Sequence, residues 1–154
     1  MKIGFTGAQK GMTSLQKMRF NEILLPFKLN AFRPLTEFHH GDCIGADEEA
    51  HNQVRACFPK TTIHIHPPKN SKKRAYSSRN EIYYYRDRQF SIPNIHLPKS
   101  YLERNKDIVN KTDLLIACPK SNKEELRSGT WATVRCAKKQ KKQIIIIFPN
   151  GKMR

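Results

Sequence analysis

Short apolar runs and helical patterns alternate about five times along this chain, and that alternation restricts the possible folds more than any single motif does. Lys2 to Thr6 reads as a strand, with Ile3 and Phe5 on one face. Thr13 and Gln16 have capping-box spacing ahead of a helix that should run to about Leu25, where Pro26 is an obstacle. A second strand is expected near residues 35–39, and a helix from Gly45 to about Cys57, closed by Pro59. Thr61 to His66 is β-rich and alternating, a third strand. After an irregular stretch, Pro98 should open a helix to about Lys111, with Leu102, Ile108 and Val109 inward. Asp113 to Cys118 is a fourth strand, Gly129-Thr130 opens a last helix with Val134 and Ala137 inward, and Gln143 to Phe148 is a fifth strand. Its unbroken Ile144–Ile147 run fits a strand buried on both faces.

This order predicts an α/β, Rossmann-like single domain over residues 1–154, with about five mainly parallel strands covered by helices on both faces. Residues 67–98 form an irregular insert or lid, inside which Ile82 to Tyr85 is a candidate extra strand. In such sheets ligands bind beyond the carboxyl ends of the strands, where strand order reverses. Three strand-to-helix loops would meet there: Thr6–Gly11, His39–Asp47 and Pro119–Thr130.

No apolar run approaches the roughly 20 residues of a membrane span, and no secretory leader is read at Met1–Phe5, so no membrane partner and a cytoplasmic location are expected. The four cysteines are far apart and form no C-x-x-C pair. A metal site from His39, His40 and Cys43 lacks a second ligand cluster, so neither metal nor cofactor is expected. Net charge is +16, and it is uneven. Residues 1–59 carry 7 Lys+Arg against 6 Asp+Glu, whereas residues 60–111 carry 12 against 4 and residues 112–154 carry 10 against 3. Such a field draws anions to the last two-thirds of the chain, or is simply a solvated basic surface.

The first loop, Thr6, Gly7, Gln9, Lys10 and Gly11, can cradle phosphate through backbone N–H groups, or be an ordinary tight turn. In the second, Gly41, Asp42, Gly45, Ala46 and Asp47 combine backbone freedom with acids and an open helix N-terminus. Asp47 is the preferred ligand-contacting carboxylate, against a role in stabilising that helix end; Glu48 and Glu49 read as surface residues. Arg127, Ser128, Gly129 and Thr130 open the last helix and make the best phosphate site in the sequence. Trp131 is either a stacking platform or a core residue. Arg104 and Asn105, on the preceding helix, can reach the same edge. The Arg79-Asn80 pair repeats that dipeptide and reads as surface.

Taken in series, these stretches resemble the SLOG superfamily, the Rossmann-like group named after the DprA/Smf and LOG proteins. Phe5-Thr6-Gly7-Ala8-Gln9-Lys10-Gly11-Met12, His40-Gly41-Asp42-Cys43-Ile44-Gly45-Ala46-Asp47, His66-Pro67-Pro68, Tyr101-Leu102-Glu103-Arg104-Asn105 and Ser128-Gly129-Thr130 fall in that family's order. The resemblance implies a nucleotide- or nucleoside-derived ligand over the carboxyl edge of the sheet, and a possible homo-oligomer. Two departures stand out. Gln9 replaces an arginine common in the first loop, and Thr133 stands where LOG enzymes carry a catalytic glutamate. Pro119-Lys120-Ser121 also replaces their Pro-Gly-Gly.

Three functions are compatible with these residues. The first is a sensor or sequestering module for a nucleotide-derived small molecule, favoured by the missing glutamate. The second is an N-glycosidic hydrolase of a nucleoside monophosphate, in which Asp47 or Glu103 supplies the carboxylate. The third is single-stranded nucleic-acid binding through Tyr83–Tyr85 and their basic flanks.

Overall fold

The computed structural model describes residues 1–30, 32–79 and 91–154; the candidate strand Ile82–Tyr85 and the Tyr83–Tyr85 stacking surface lie outside them. The described chain forms strands β1 (Lys2–Gly7), β2 (Glu37–His40), β3 (Thr62–Ile65), β4 (Asn94–Ile95), β5 (Leu114–Cys118) and β6 (Gln143–Ile146). The helices are α1 (Ser14–Leu29), α2 (Ala46–Cys57), α3 (Tyr101–Asn110) and α4 (Gly129–Lys139). All strands pair in parallel in one sheet of order β4-β3-β2-β1-β5-β6. The architecture is the expected Rossmann-like α/β fold, with six strands rather than five. The additional strand, β4, is two residues long, too short to leave a periodic signal.

Alternation along the strands sorts two cores. Ile3, Phe5, Phe38, Ile63, Ile65, Leu114 and Ile116 face Phe20 and Leu24 of α1 and Ala46, Ala50 and Val54 of α2. Leu115, Ala117 and Ile146 face Val109 of α3 and Trp131, Val134 and Ala137 of α4. Trp131 is therefore a core residue, 6.5 Å from the Phe148 ring, and not a stacking platform. The rings of Phe5 and Phe20 meet edge-on at 5.2 Å, a preferred aromatic arrangement.

The Thr13/Gln16 capping box forms as the spacing predicts. Gln16 does more than cap: its buried amide donates to the carbonyls of Pro119 (2.9 Å) and Ile147 (2.8 Å), fixing α1 beneath the ends of β5 and β6. The helix runs through Pro26 to Leu29, because the proline removes one N–H near a largely exposed helix end. α3 starts at Tyr101 rather than Pro98, since Ser100 and Glu103 close a second capping box there. Leu102 is 70% exposed rather than inward. The isoleucine run belongs to an edge strand: Ile144 and Ile145 are only half-buried, although they touch opposite cores. Its outer edge is covered by Arg154, whose N–H donates to the Ile146 carbonyl at 3.0 Å and whose carbonyl accepts from the Ile146 N–H at 2.7 Å. Among the described residues no helix is long and apolar enough to cross a membrane.

Candidate functional site

Strand order reverses between β1 and β5: β2, β3 and β4 lie to one side of β1, and β5 and β6 to the other. At the carboxyl ends of the central strands, where loops leave for opposite faces, a crevice of about 1070 Å³ opens. It is lined by Thr6 and Gly7 at the end of β1 and Gln9 and Lys10 after it, by Gly41 and Cys43 after β2 and Asp47 of α2, by Tyr101, Arg104 and Asn105 of α3, and by Arg127–Thr130 at the start of α4. Asp47 and Ser128 thus share one wall-to-wall space, although 81 residues separate them in the chain.

Asp42, Gly45 and Ala46 do not line the crevice; they build it. The Ala46 N–H donates to the Ala8 carbonyl at 3.0 Å, so the first loop covers the α2 N-terminus. Gly45 (φ +96°) sits so close that a Cβ there would lie 2.1 Å from the Gln9 carbonyl oxygen, and a Cβ on Gly7 would lie 2.3 Å from the Ala46 Cβ. Glu49, a surface residue by sequence, accepts the Met12 N–H at 2.6 Å and pairs with Lys17 at 2.8 Å. Asp42, fully buried with φ 54°, accepts from Arg74 Nε at 2.7 Å and from the Ser77 N–H at 3.0 Å, which anchors the start of the irregular stretch. Glu103 is exposed, and its carboxylate caps Ser100 rather than facing the crevice. Thr133 is also out of reach, buried between the Thr6 hydroxyl (3.4 Å) and the Gly129 carbonyl (3.1 Å).

The floor is polar and only partly paired. Asp47, Arg104 and Asn105 are each 5–6% exposed. Arg104 donates to the Gly41 carbonyl at 2.8 Å and approaches the Cys43 sulfur at 3.4 Å; Asp47 Oδ2 accepts the Cys43 N–H at 3.2 Å. Asp47 Oδ1, Arg104 Nε and Asn105 Nδ2 are buried with no hydrogen-bond partner among the described residues. Such groups each cost roughly 1–3 kcal/mol unless something satisfies them. Burial pushes the Asp47 carboxyl up to about 6, against the opposing pull of the Arg104 charge. Burial likewise raises the Cys43 thiol to about 11, so it stays protonated at neutral pH.

Tyr101 was not a candidate by sequence, yet it shares the crevice-facing side of α3 with Arg104 and Asn105, three and four residues on. That spacing was the available signal. Its hydroxyl would lie 2.6 Å from a Cβ on Gly129, so the glycine is what lets α3 and α4 close together here. Ser128 caps α4, its hydroxyl accepting the Trp131 N–H at 3.4 Å, and Arg127 stands exposed at the rim with Lys10, Lys73 and Lys99. His39 and His40, weighed together as metal ligands, point to opposite faces of β2: His40 meets His51 of α2 at 2.9 Å, while Cys43 turns to Arg104.

No family model and no curated protein matches the chain. Among solved structures it is similar to the X-ray structure of TM1055, a Northeast Structural Genomics Consortium target, with a TM-score of 0.54 and 14% sequence identity over 94% of this chain and 72% of that one. A likeness at that identity carries the architecture alone, and it places the chain among Rossmann-like α/β proteins.

Proposed function

We propose that the chain binds a nucleotide- or nucleoside-derived small molecule in the crevice, as a sensor or sequestering module. The observation that carries this reading is the trio of buried, unpartnered polar atoms on Asp47, Arg104 and Asn105, gathered where α/β sheets bind ligands. Asp47 accepts hydrogen bonds from sugar hydroxyls or a base edge. Phosphate lies toward the α4 N-terminus, where backbone N–H groups, Ser128, Thr130 and the rim cation Arg127 favour negative charge. The resemblance to SLOG proteins supports the same ligand class.

Calorimetry against nucleoside monophosphates, cyclic nucleotides and ADP-ribose derivatives tests this. One equivalent of at least one of them is expected to bind, and Arg104→Leu should weaken it by at least about tenfold, the effect of losing a hydrogen bond to a charged group. No heat with any of the three classes would overturn the reading. Gly129→Ala should leave stability within about 1 kcal/mol, because alanine suits a helix better and only the Tyr101 side chain must swing aside. Its ligand affinity should nonetheless fall, since the displaced ring enters the crevice; unfolding curves and calorimetry on the same variant check both halves.

A second reading, N-glycosidic hydrolysis, is favoured by the burial of Asp47 in the crevice, which pushes its carboxyl up to about 6 and suits it to proton transfer. With Glu103 committed to its cap and Thr133 buried, Asp47 is the one of the two carboxylates expected from sequence that is left to serve. Release of free base from a nucleoside monophosphate, lost in Asp47→Asn while binding persists, would establish it; intact substrate after prolonged incubation would remove it.

A further inference from the structure

The face of β2–β4 on the α3 side of the sheet carries histidines where apolar residues would be expected. Glu37 and His39 are two apart on β2 and so share a face, and His39 is in register with His64 on β3. Parallel pairing therefore sets the three side chains beside one another. The His39 and His64 rings stack at 4.2 Å with an interplanar angle of 2°. Glu37 Oε2 lies 3.0 Å from His39 Nε2 and 3.7 Å from His64 Nε2, and one ligand atom from each residue falls within 4.8 Å of the others. None of the three lines the crevice.

We propose that Glu37, His39 and His64 form a binding site for one divalent transition-metal ion of the zinc class. Zinc binds imidazole nitrogen and carboxylate oxygen at about 2.0–2.2 Å, so tetrahedral ligand atoms stand about 3.3–3.5 Å apart. The Glu37 oxygen's two separations bracket that value, the ligand atoms all lie within 4.8 Å of one another, and the stacked rings must splay for both nitrogens to reach one ion. A second shell is already in place. His39 Nδ1 shares a hydrogen bond with His66 Nε2 at 3.1 Å, and His64 Nδ1 with His96 Nε2 at 3.2 Å. With metal on both Nε2 atoms, each Nδ1 keeps its proton and donates it outward, the arrangement that orients metal-binding imidazoles. Lys2 occupies the other Glu37 oxygen at 2.8 Å, leaving Oε2 to the histidine pair. The fourth position is left to water, as in zinc sites held by three protein ligands, and none of the three belongs to the crevice lining.

Zinc alone is the probe, titrated against a competing chelator with the full chain. One equivalent is expected, with a rise in melting temperature. His39→Gln, His64→Gln and Glu37→Gln should each weaken binding by more than about tenfold, and His96→Gln by about 10–100-fold as an outer partner. Anomalous scattering from zinc-soaked crystals of the unaltered chain locates the ion without relying on any variant; density between Glu37, His39 and His64 is the expected result. Cobalt substitution should give a spectrum of nitrogen and oxygen ligands. A peak elsewhere, a sulfur-to-cobalt charge-transfer band, or no zinc binding would overturn the site.

Discussion

Asp47→Asn is expected to make the unliganded protein more stable at neutral pH while weakening, not abolishing, its proposed binding. In the unfolded chain this carboxyl loses its proton near pH 4; in the folded protein, where burial disfavours the charge, it holds the proton until about pH 6. Between those values the folded state binds more protons than the unfolded one, so stability falls as pH rises from about 4 to about 6, by roughly 3 kcal/mol from this group. The asparagine variant carries no such loss. Its side-chain carbonyl still accepts the Cys43 N–H, and its NH2 group takes the place of the already unpartnered Oδ1. Urea unfolding at several pH values should show the two proteins converging near pH 4 and the variant ahead by up to roughly 3 kcal/mol above pH 6. A variant less stable than the parent at pH 7.5 would refute this account. A carboxylate that the fold would be firmer without, held beside an unpaired arginine nitrogen, fits the proposed role of Asp47 in contacting a ligand.

Asp42→Ala should do the reverse and unfold the neighbourhood. The carboxylate has no exposed surface and holds both Arg74 and the Ser77 N–H. Removing it leaves a largely buried guanidinium and a buried backbone donor unpaired, and breaking a buried pair in this way costs about 3–5 kcal/mol. The Ala75 N–H also donates to the Asp42 carbonyl at 2.8 Å, so residues 74–77 depend on this position by side chain and backbone together. Hydrogen exchange should accelerate first in that segment, and the global unfolding midpoint should drop. A variant with the parent's midpoint and unchanged protection over 74–77 would contradict the assignment.

The two aspartates show where sequence reasoning succeeds and where it stops. Asp42 stands in the glycine-bounded turn after β2 and Asp47 in the first turn of α2, and both were candidates for ligand contact. Residue spacing placed the turn at a strand end, and the three-loop convergence followed from the α/β order alone. What spacing cannot supply is the partner: Asp42 is drawn away by an arginine 32 residues downstream, and Glu103 by a serine three residues before it. Glycines misled in the same way. Gly45 admits the backbone of the first loop, not an incoming molecule, because α2 starts beneath β1's exit. The histidine face was illegible for a related reason. Alternation tells which residues of a strand share a side, but the pairing of His39 with His64 depends on a register that only the assembled sheet fixes.

The seam between the Gln9 carbonyl and Gly45 has a further consequence for selectivity. Two of the three converging turns are welded through main-chain atoms, so that half of the vestibule keeps one contour, and under the proposed binding it would select by outline. The opposite half is lined by longer side chains, with Tyr101 packed against Gly129 and Arg127 exposed at the rim. Under the proposed binding, analogues that differ at the end assigned to Asp47 should be rejected sharply, and those that differ toward Arg127 should be tolerated.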